Sequence, residues 1–209
     1  MNYKKNFELA VFVGPSLVKK EKEILSSMCH VFPPARWGDF DSLDRKIKDV
    51  IFIDGVMVND HPPSIKECYR LSTRANITGT ASLGALRAVE LKTINGVGWV
   101  YEAYKNRSVT ADDEVLVSVD SSYGALTIPL VNLRFMLDWM DKNNYITKEK
   151  SFEVIEEIKN IHFSERTISC VKSIFKRYNV VNAPFERMEA FDIKRKDSLN
   201  ALTLNGIRF

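Results

Sequence analysis

The sequence predicts an α/β fold: a Rossmann-like, mostly parallel sheet with helices on both faces, plus a C-terminal helical extension. Three observations carry that prediction. Short apolar runs without period-two alternation (FELAVFVG, CHVFP, DVIFIDG and NITG) recur through the first part of the chain, as expected of strands buried on both faces. Each run ends in glycine or proline and is followed by a longer polar or amphipathic segment, the alternation that builds parallel βαβ units. Beyond residue 140 the texture changes to charge-rich sequence with apolar residues at helical spacing.

Taken in order, the first run closes at Gly14-Pro15. Leu17, Ile24, Leu25 and Met28 then fall among lysines and glutamates as one face of a helix. CHVFP is followed by a polar segment to Lys48, DVIFIDG by Pro63 to Arg74, and NITG by Ala85 to Leu91. Residues 7–140 read as one α/β domain, with the strand order open because periodicity does not set it. Residues 141–209 read as the helical extension. In it Phe152, Ile155 and Ile158, then Ile168, Val171, Ile174 and Phe175, predict two antiparallel helices between Thr147 and Tyr178, with Thr147 as an N-cap. After Pro184, Lys194, Arg195 and Lys196 among isolated hydrophobes read as a packed arm or a weakly ordered tail.

Composition narrows the classes. The chain has 209 residues, with 30 Lys+Arg against 27 Asp+Glu and a net charge of +3, a balance that calls for no nucleic-acid partner. Cys29, Cys68 and Cys170 are odd in number and far apart, with no C-x-x-C pair. Neither a disulfide framework nor a zinc site is expected, and a reduced, cytoplasmic setting fits. The opening MNYKKNFELAVFVGPSL places charge before an apolar stretch too short for a signal peptide, and no run approaches the roughly 18 apolar residues of a membrane helix. Gly14-Pro15-Ser16 lacks the G-x-G-x-x-G spacing, so no dinucleotide cofactor is expected. Asp112, Asp113 and Glu114 are contiguous carboxylates without further oxygen ligands, a poor metal signature.

Chemistry in parallel sheets gathers beyond the carboxyl ends of the strands, which singles out TGTASLGALRAVEL at residues 78–91. Ser82 stands at its junction, with Gly79, Thr80, Ala81, Gly84 and Ala85 around it. Small neighbours permit a tight strand-to-helix turn like the serine elbow of acyl-transfer enzymes, although Thr80 departs from G-x-S-x-G. The N–H groups of Leu83 and Gly84 are expected to point outward, where an oxyanion is stabilised. The plainer alternative makes Ser82 only the N-cap of helix 83–91. Asp54 follows VIFI, and either meets a substrate, a metal or a neighbouring loop, or forms an Asp-Gly turn with Gly55. Arg36 and Asp39 frame RWGD after the second strand; Arg87 and Glu90, three apart on one helix, can pair. His61 lies in a predicted strand-end loop before two prolines, where the plainer reading is a solvent-exposed histidine.

Seven blocks now stand in order: VFVGPSL, PPARWGD, IFIDGVM, GTASLGALRAVEL, NGVGWVYEAYKN, ADDEVLV and PLVNLR. Together they resemble the TfuA-like core domain over about residues 8–137, while the C-terminal third carries no such motif. The resemblance implies a partner role beside YcaO enzymes, which use ATP to activate a peptide-backbone amide, in the thioamidation of a ribosomally made peptide or protein. It implies hydrolysis of a thiocarboxylated ThiS-type sulfur carrier to release sulfide, and help in substrate engagement by the YcaO. No cofactor and no membrane or nucleic-acid partner is implied.

Carried onto this chain, the resemblance suggests Ser82 as nucleophile, or a water held by Asp54 or Glu67, with His61 as a further catalytic candidate. Binding of the anionic thiocarboxylate falls to Arg36, Arg87 and Arg134 and to outward N–H groups at Leu83 and Gly84. Asp39, Gly79, Glu90, Asp113, Glu114 and Asn132 complete the expected substrate-binding set. The family usually has HKE where this chain reads Ile65-Lys66-Glu67. If that histidine is catalytic, the departure favours the alternative of a non-catalytic module that docks or allosterically activates the YcaO enzyme and its peptide. A nucleotide or phosphate-ester enzyme, suggested by topology alone, finds no phosphate-binding glycine fingerprint.

Overall fold

Five short strands form one wholly parallel sheet in the computed structural model, which describes residues 6–58, 60–180 and 182–208. Residues 1–5, part of the opening segment weighed as a signal peptide, lie outside the described residues. The strands are β1 (Leu9–Phe12), β2 (His30–Phe32), β3 (Asp49–Phe52), β4 (Asn76–Thr80) and β5 (Asn95–Val97), in the spatial order β2-β1-β3-β4-β5. Register is fixed by pairs such as Val11↔Val31, Val11↔Ile51 and Ile51↔Thr78. The chain runs outward from β1 to β2, then returns to the other side of β1 at β3. That reversal makes the carboxyl ends of β1 and β3 the topological switch, the place where open α/β sheets bind ligands.

Both faces of the sheet are covered, as its apolar strands require. Leu9, Val11 and Ile51 pack with Leu25 of α1 (Lys19–Ser26) and with Ala201 and Leu202 of the C-terminal helix. On the opposite face Phe12 stacks on Phe32 at 5.0 Å. Phe40 of the four-residue α2 (Asp39–Ser42) stands edge-on to Phe12 at 5.1 Å and to Phe52 at 5.0 Å. The remaining crossovers are α3 (Ile65–Ser72) and α4 (Leu83–Glu90), and α5 (Trp99–Lys105) follows β5. Two glycines bring α4 onto the sheet: a Cβ on Gly79 would lie 2.2 Å from the Gly84 carbonyl oxygen, and one on Gly84 1.7 Å from that of Phe52.

The chain divides into two compact units, residues 1–110 with 194–209, and residues 111–193. The sequence put a boundary near residue 140; the units part instead at 110/111 and 193/194. The second unit contains α6 (Leu130–Lys142), α7 (Lys148–Lys159) and α8 (Ile168–Arg177) around a core of Leu133, Met136, Leu137, Val154, Ile158, Val171, Ile174 and Phe175. The two helices expected between Thr147 and Tyr178 are α7 and α8, and the Thr147 hydroxyl accepts the Lys150 N–H as an N-cap. Arg166, 0 % exposed, organises this unit's loops, donating to the carbonyls of Ile161 and Asp113 and to the Asp113 carboxylate.

The segment after Pro184 takes the packed form of the two expected. Ile193–Leu204 is a helix, α9, whose residues from Lys194 onward belong to the first unit. Its buried positions Lys194, Asp197, Ser198, Ala201 and Leu202 recur every three or four residues, the spacing of one helical face. Periodicity did not reveal it because that face mixes charged with apolar residues.

Candidate functional site

Ser82 sits at the end of β4, where the backbone is kinked. Ala81 has φ +61°, the left-handed region disfavoured for a residue with a Cβ, and the Ser82 N–H turns back to the Thr80 carbonyl at 2.7 Å. The strand-to-helix turn expected from the small residues is therefore present. Ser82 occupies the N-cap position of α4, but its hydroxyl makes no capping hydrogen bond. Only its carbonyl joins the helix, accepting the Ala85 N–H at 2.9 Å. The residue is 4 % exposed. The expected pair of outward donors is half present: Gly84 N–H is spent on the Ile53 carbonyl at 3.2 Å, because Gly84 is pressed against β3. Leu83 N–H meets no acceptor among the described residues.

Beside this turn, the buried Asp54 is fully engaged. One oxygen accepts the N–H groups of Gly14 at 2.8 Å and Ser16 at 3.0 Å; the other accepts the Ser16 hydroxyl at 2.7 Å and lies 3.9 Å from the Lys194 ammonium. Asp54 thus holds the loop after β1 rather than forming a turn of its own. The flanking residues tie it to its neighbours: Ile53 receives Gly84 N–H, and a Cβ on Gly55 would lie 2.3 Å from the Leu83 side chain. Sequence reasoning missed Ser16 and Lys194. Ser16 was visible in Gly14-Pro15-Ser16, a segment weighed only as a dinucleotide fingerprint, while nothing local marks Lys194.

The loops after β2 and β3 run together. Ala35 bridges Gly55 in parallel register, and Trp37 N–H donates to the His61 carbonyl at 2.8 Å. Asp39 accepts the Arg36 N–H at 2.7 Å, and the half-exposed Arg36 guanidinium lies 3.2 Å from Asp60. His61 is exposed, and Trp37 is 69 % exposed in the same loop pair. Ile65 is the first residue of α3 and 47 % exposed.

Glu67 and Arg87 are committed to packing. Glu67 is 0 % exposed; one carboxylate oxygen accepts the Phe40 N–H at 2.9 Å, and the other has no partner among the described residues. Arg87 donates from Nε to the Pro63 carbonyl at 3.2 Å and from Nη1 to Glu90 at 2.6 Å. It therefore pins the loop before α3 onto α4, and the pairing expected of Arg87 and Glu90 is present. Burial pushes the neighbouring Cys68 thiol up to about 12, against the pull of Arg87.

Asp113, Glu114, Asn132 and Arg134 belong to the second unit, where each has a partner. Arg134 makes a two-pronged pair with Glu114 at 2.8 and 2.6 Å, Asp113 pairs with Arg166, and Asn132 donates to Asp192 at 3.1 Å. The Asp112–Glu114 run thus spends two of its carboxylates on arginines. Among the described residues no group of three or more His, Cys, Asp or Glu is arranged to hold a metal ion, and no helix is long and apolar enough to cross a membrane.

Fold and strand-end turn together define a doubly wound parallel α/β protein with polar groups gathered at the topological switch. The sequence profile of TfuA-like proteins matches residues 54–167, more than half of the chain, and the chain belongs to that family. The matched segment starts at Asp54 and includes Ser82, Arg87 and Arg134. Membership supports a role in the TfuA/YcaO thioamidation context, with a protein partner such as a YcaO. Comparison with the curated proteins gives no significant match.

Proposed function

We propose that this chain is a TfuA-like hydrolase that releases sulfide from a thiocarboxylated ThiS-type carrier for YcaO-dependent thioamidation of a ribosomally made peptide or protein. One observation carries the reading: a serine hydroxyl at a helix N-cap that caps nothing, directly after a left-handed alanine at a strand end. An N-cap serine ordinarily spends its oxygen on the helix; this one makes no such bond. In the covalent version Ser82 Oγ adds to the thioacyl carbon and Leu83 N–H faces the developing oxyanion. The C–S bond then breaks, and the serine proton leaves with sulfur as HS⁻. Water cleaves the resulting ester to give the carrier carboxylate and restore the hydroxyl. Arg36, half exposed and oriented by Asp60, is the cation we assign to the thiocarboxylate. Asp54 positions the loop after β1, and three cysteines without disulfides accord with a reducing cytoplasm.

The alternative, a non-catalytic module that engages the YcaO or its peptide, also has an observation in its favour. Asp54 has both oxygens occupied, Glu67 is sealed from solvent, and Ile65 replaces the usual histidine, so none of these three positions offers Ser82 a free general base. Intact-mass analysis of a thiocarboxylated ThiS-type carrier, incubated with the purified protein and no YcaO, separates the two. Catalytic conversion to the carboxylate with sulfide release is the expected result. An unchanged carrier in the presence of folded protein overturns the hydrolase reading. Ser82→Ala retaining full hydrolysis removes the covalent version and leaves a water-mediated one.

A further inference from the structure

The C-terminal helix delivers three polar contacts to the carboxyl edge of the sheet. Lys194 reaches Asp54, Arg195 pairs with Glu21 at 2.6 Å, and Asp197 accepts the Trp99 and Val100 N–H groups at the start of α5. Glu21 in turn accepts the Val18 N–H at 3.1 Å at the entry of α1. Segments after β1, β3 and β5 are thereby tied to one helix from the far end of the chain. The first contact is deeply buried: the Lys194 and Asp54 side chains are 4 % and 2 % exposed.

Taken with the proposed hydrolase reading, on which it rests, this geometry leads us to propose that Lys194 is a positioning residue for the Ser82 turn, acting through Asp54. At 3.9 Å the contact is one of charge rather than a hydrogen bond. Its consequence lies in what Asp54 does next. The Asp54 carboxylate accepts two N–H groups and a hydroxyl from Gly14 and Ser16, and a buried polar network keeps its geometry only while each member has its partners. The backbone on either side of Asp54 receives Gly84 N–H at Ile53 and seats Leu83 against Gly55. Lys194 therefore fixes Asp54, and Asp54 fixes both the loop after β1 and the first turn of α4, where Ser82 and the open Leu83 N–H stand. Residues 194–209 are on this account part of the site's frame rather than an appendage.

The test compares wild type with Lys194→Met, Lys194→Arg, Asp54→Asn and the Asp54→Asn/Lys194→Met double variant. Hydrolysis of the thiocarboxylated carrier is followed alongside hydrogen exchange of the Gly14 and Ser16 amides. The expected result for Lys194→Met is a fall in kcat of about tenfold or more at nearly constant KM, with faster exchange of both amides. Lys194→Arg should recover most of kcat, and the double variant should be no slower than Asp54→Asn, since both act through one contact. A Lys194→Met kcat within about twofold of wild type, or losses that multiply in the double variant, overturns the proposal. If Lys194→Met does not fold, Lys194→Arg and the double variant carry the same comparison. Wild-type protein that leaves the carrier intact overturns the hydrolase reading instead. Lys194 is then judged by exchange alone: unchanged protection of Gly14 and Ser16 in the variant refutes its role, and about tenfold faster exchange supports it.

Discussion

Asp197 and Val100 are 97 residues apart, yet the Asp197 carboxylate accepts the Val100 N–H at 2.8 Å and the adjacent Trp99 N–H at 2.9 Å. It supplies the cap that Gly98 cannot, and Gly98, at φ +104°, leaves it room: a Cβ there would lie 2.4 Å from the carboxylate carbon. Burial raises the Asp197 carboxyl from 3.8 to about 6, against the two N–H bonds, which pull it down. Because the folded value is the higher one, the contribution of this group to stability is complete below 3.8 and is lost as pH rises through about 6. Asp197→Asn removes that dependence. Relative to the variant, wild type should lose on the order of 2 kcal/mol between pH 4 and pH 7. Urea unfolding at the two pH values checks it, and a constant difference contradicts it.

Ser82→Ala should leave stability nearly untouched. Removing an N-cap serine ordinarily costs about 1 kcal/mol through the lost cap bond, but the Ser82 hydroxyl makes none. A change under about 0.5 kcal/mol in urea unfolding is expected. A loss of a full cap's worth would mean that the hydroxyl does hold the helix in solution.

Arg134→Met should destabilise the second unit. It leaves Glu114, with a side chain 2 % exposed, without its two-pronged partner, and breaking a buried ion pair from one side costs about 3 kcal/mol or more. Adding Glu114→Gln removes the stranded charge and should recover a substantial part of the loss. Unfolding monitored for both variants distinguishes this from a simple surface pair, for which neither change would exceed about 1 kcal/mol.

Thiol labelling should follow burial. Cys68, with its thiol pushed up to about 12, and the buried Cys29 are expected to resist iodoacetamide at pH 8 in the native protein, while the half-buried Cys170 reacts first. All three should label in denaturant, with mass spectrometry of digests as the readout. Prompt native labelling of Cys68 would contradict its burial in α3.

Local pattern made much of the fold legible. Four of the five strands appear as apolar runs because burial on both faces demands them; α1, α7 and α8 follow from apolar spacing, and α3 and α4 from the segments that join the strands. β5 (Asn95–Val97) was not read as a strand, since three residues with a central glycine carry no periodic signal. The segment between β2 and β3 holds only four helical residues, Asp39–Ser42, entered through Gly38 in the left-handed region. At the candidate site, the small residues around Ser82 announced the turn because tight backbone geometry is a local property.

By itself the sequence determined the class of fold, the strand-to-helix turn at Ser82 and the family resemblance, all of which reside in contiguous stretches of residues. The tertiary structure decided who meets whom. Only the order β2-β1-β3-β4-β5 brings the loop after β1 beside Asp54, and only the return of α9 brings Lys194 there. Arg87 was legible as a charge, but its partners Pro63 and Glu90 set it to hold a loop. Glu67 was legible as a carboxylate, but packing against Phe40 sealed it away. The physical reason is one of range. Periodicity and backbone sterics act over a few residues, whereas burial and ion pairing are fixed by contacts between distant segments, which the sheet order and the C-terminal helix create.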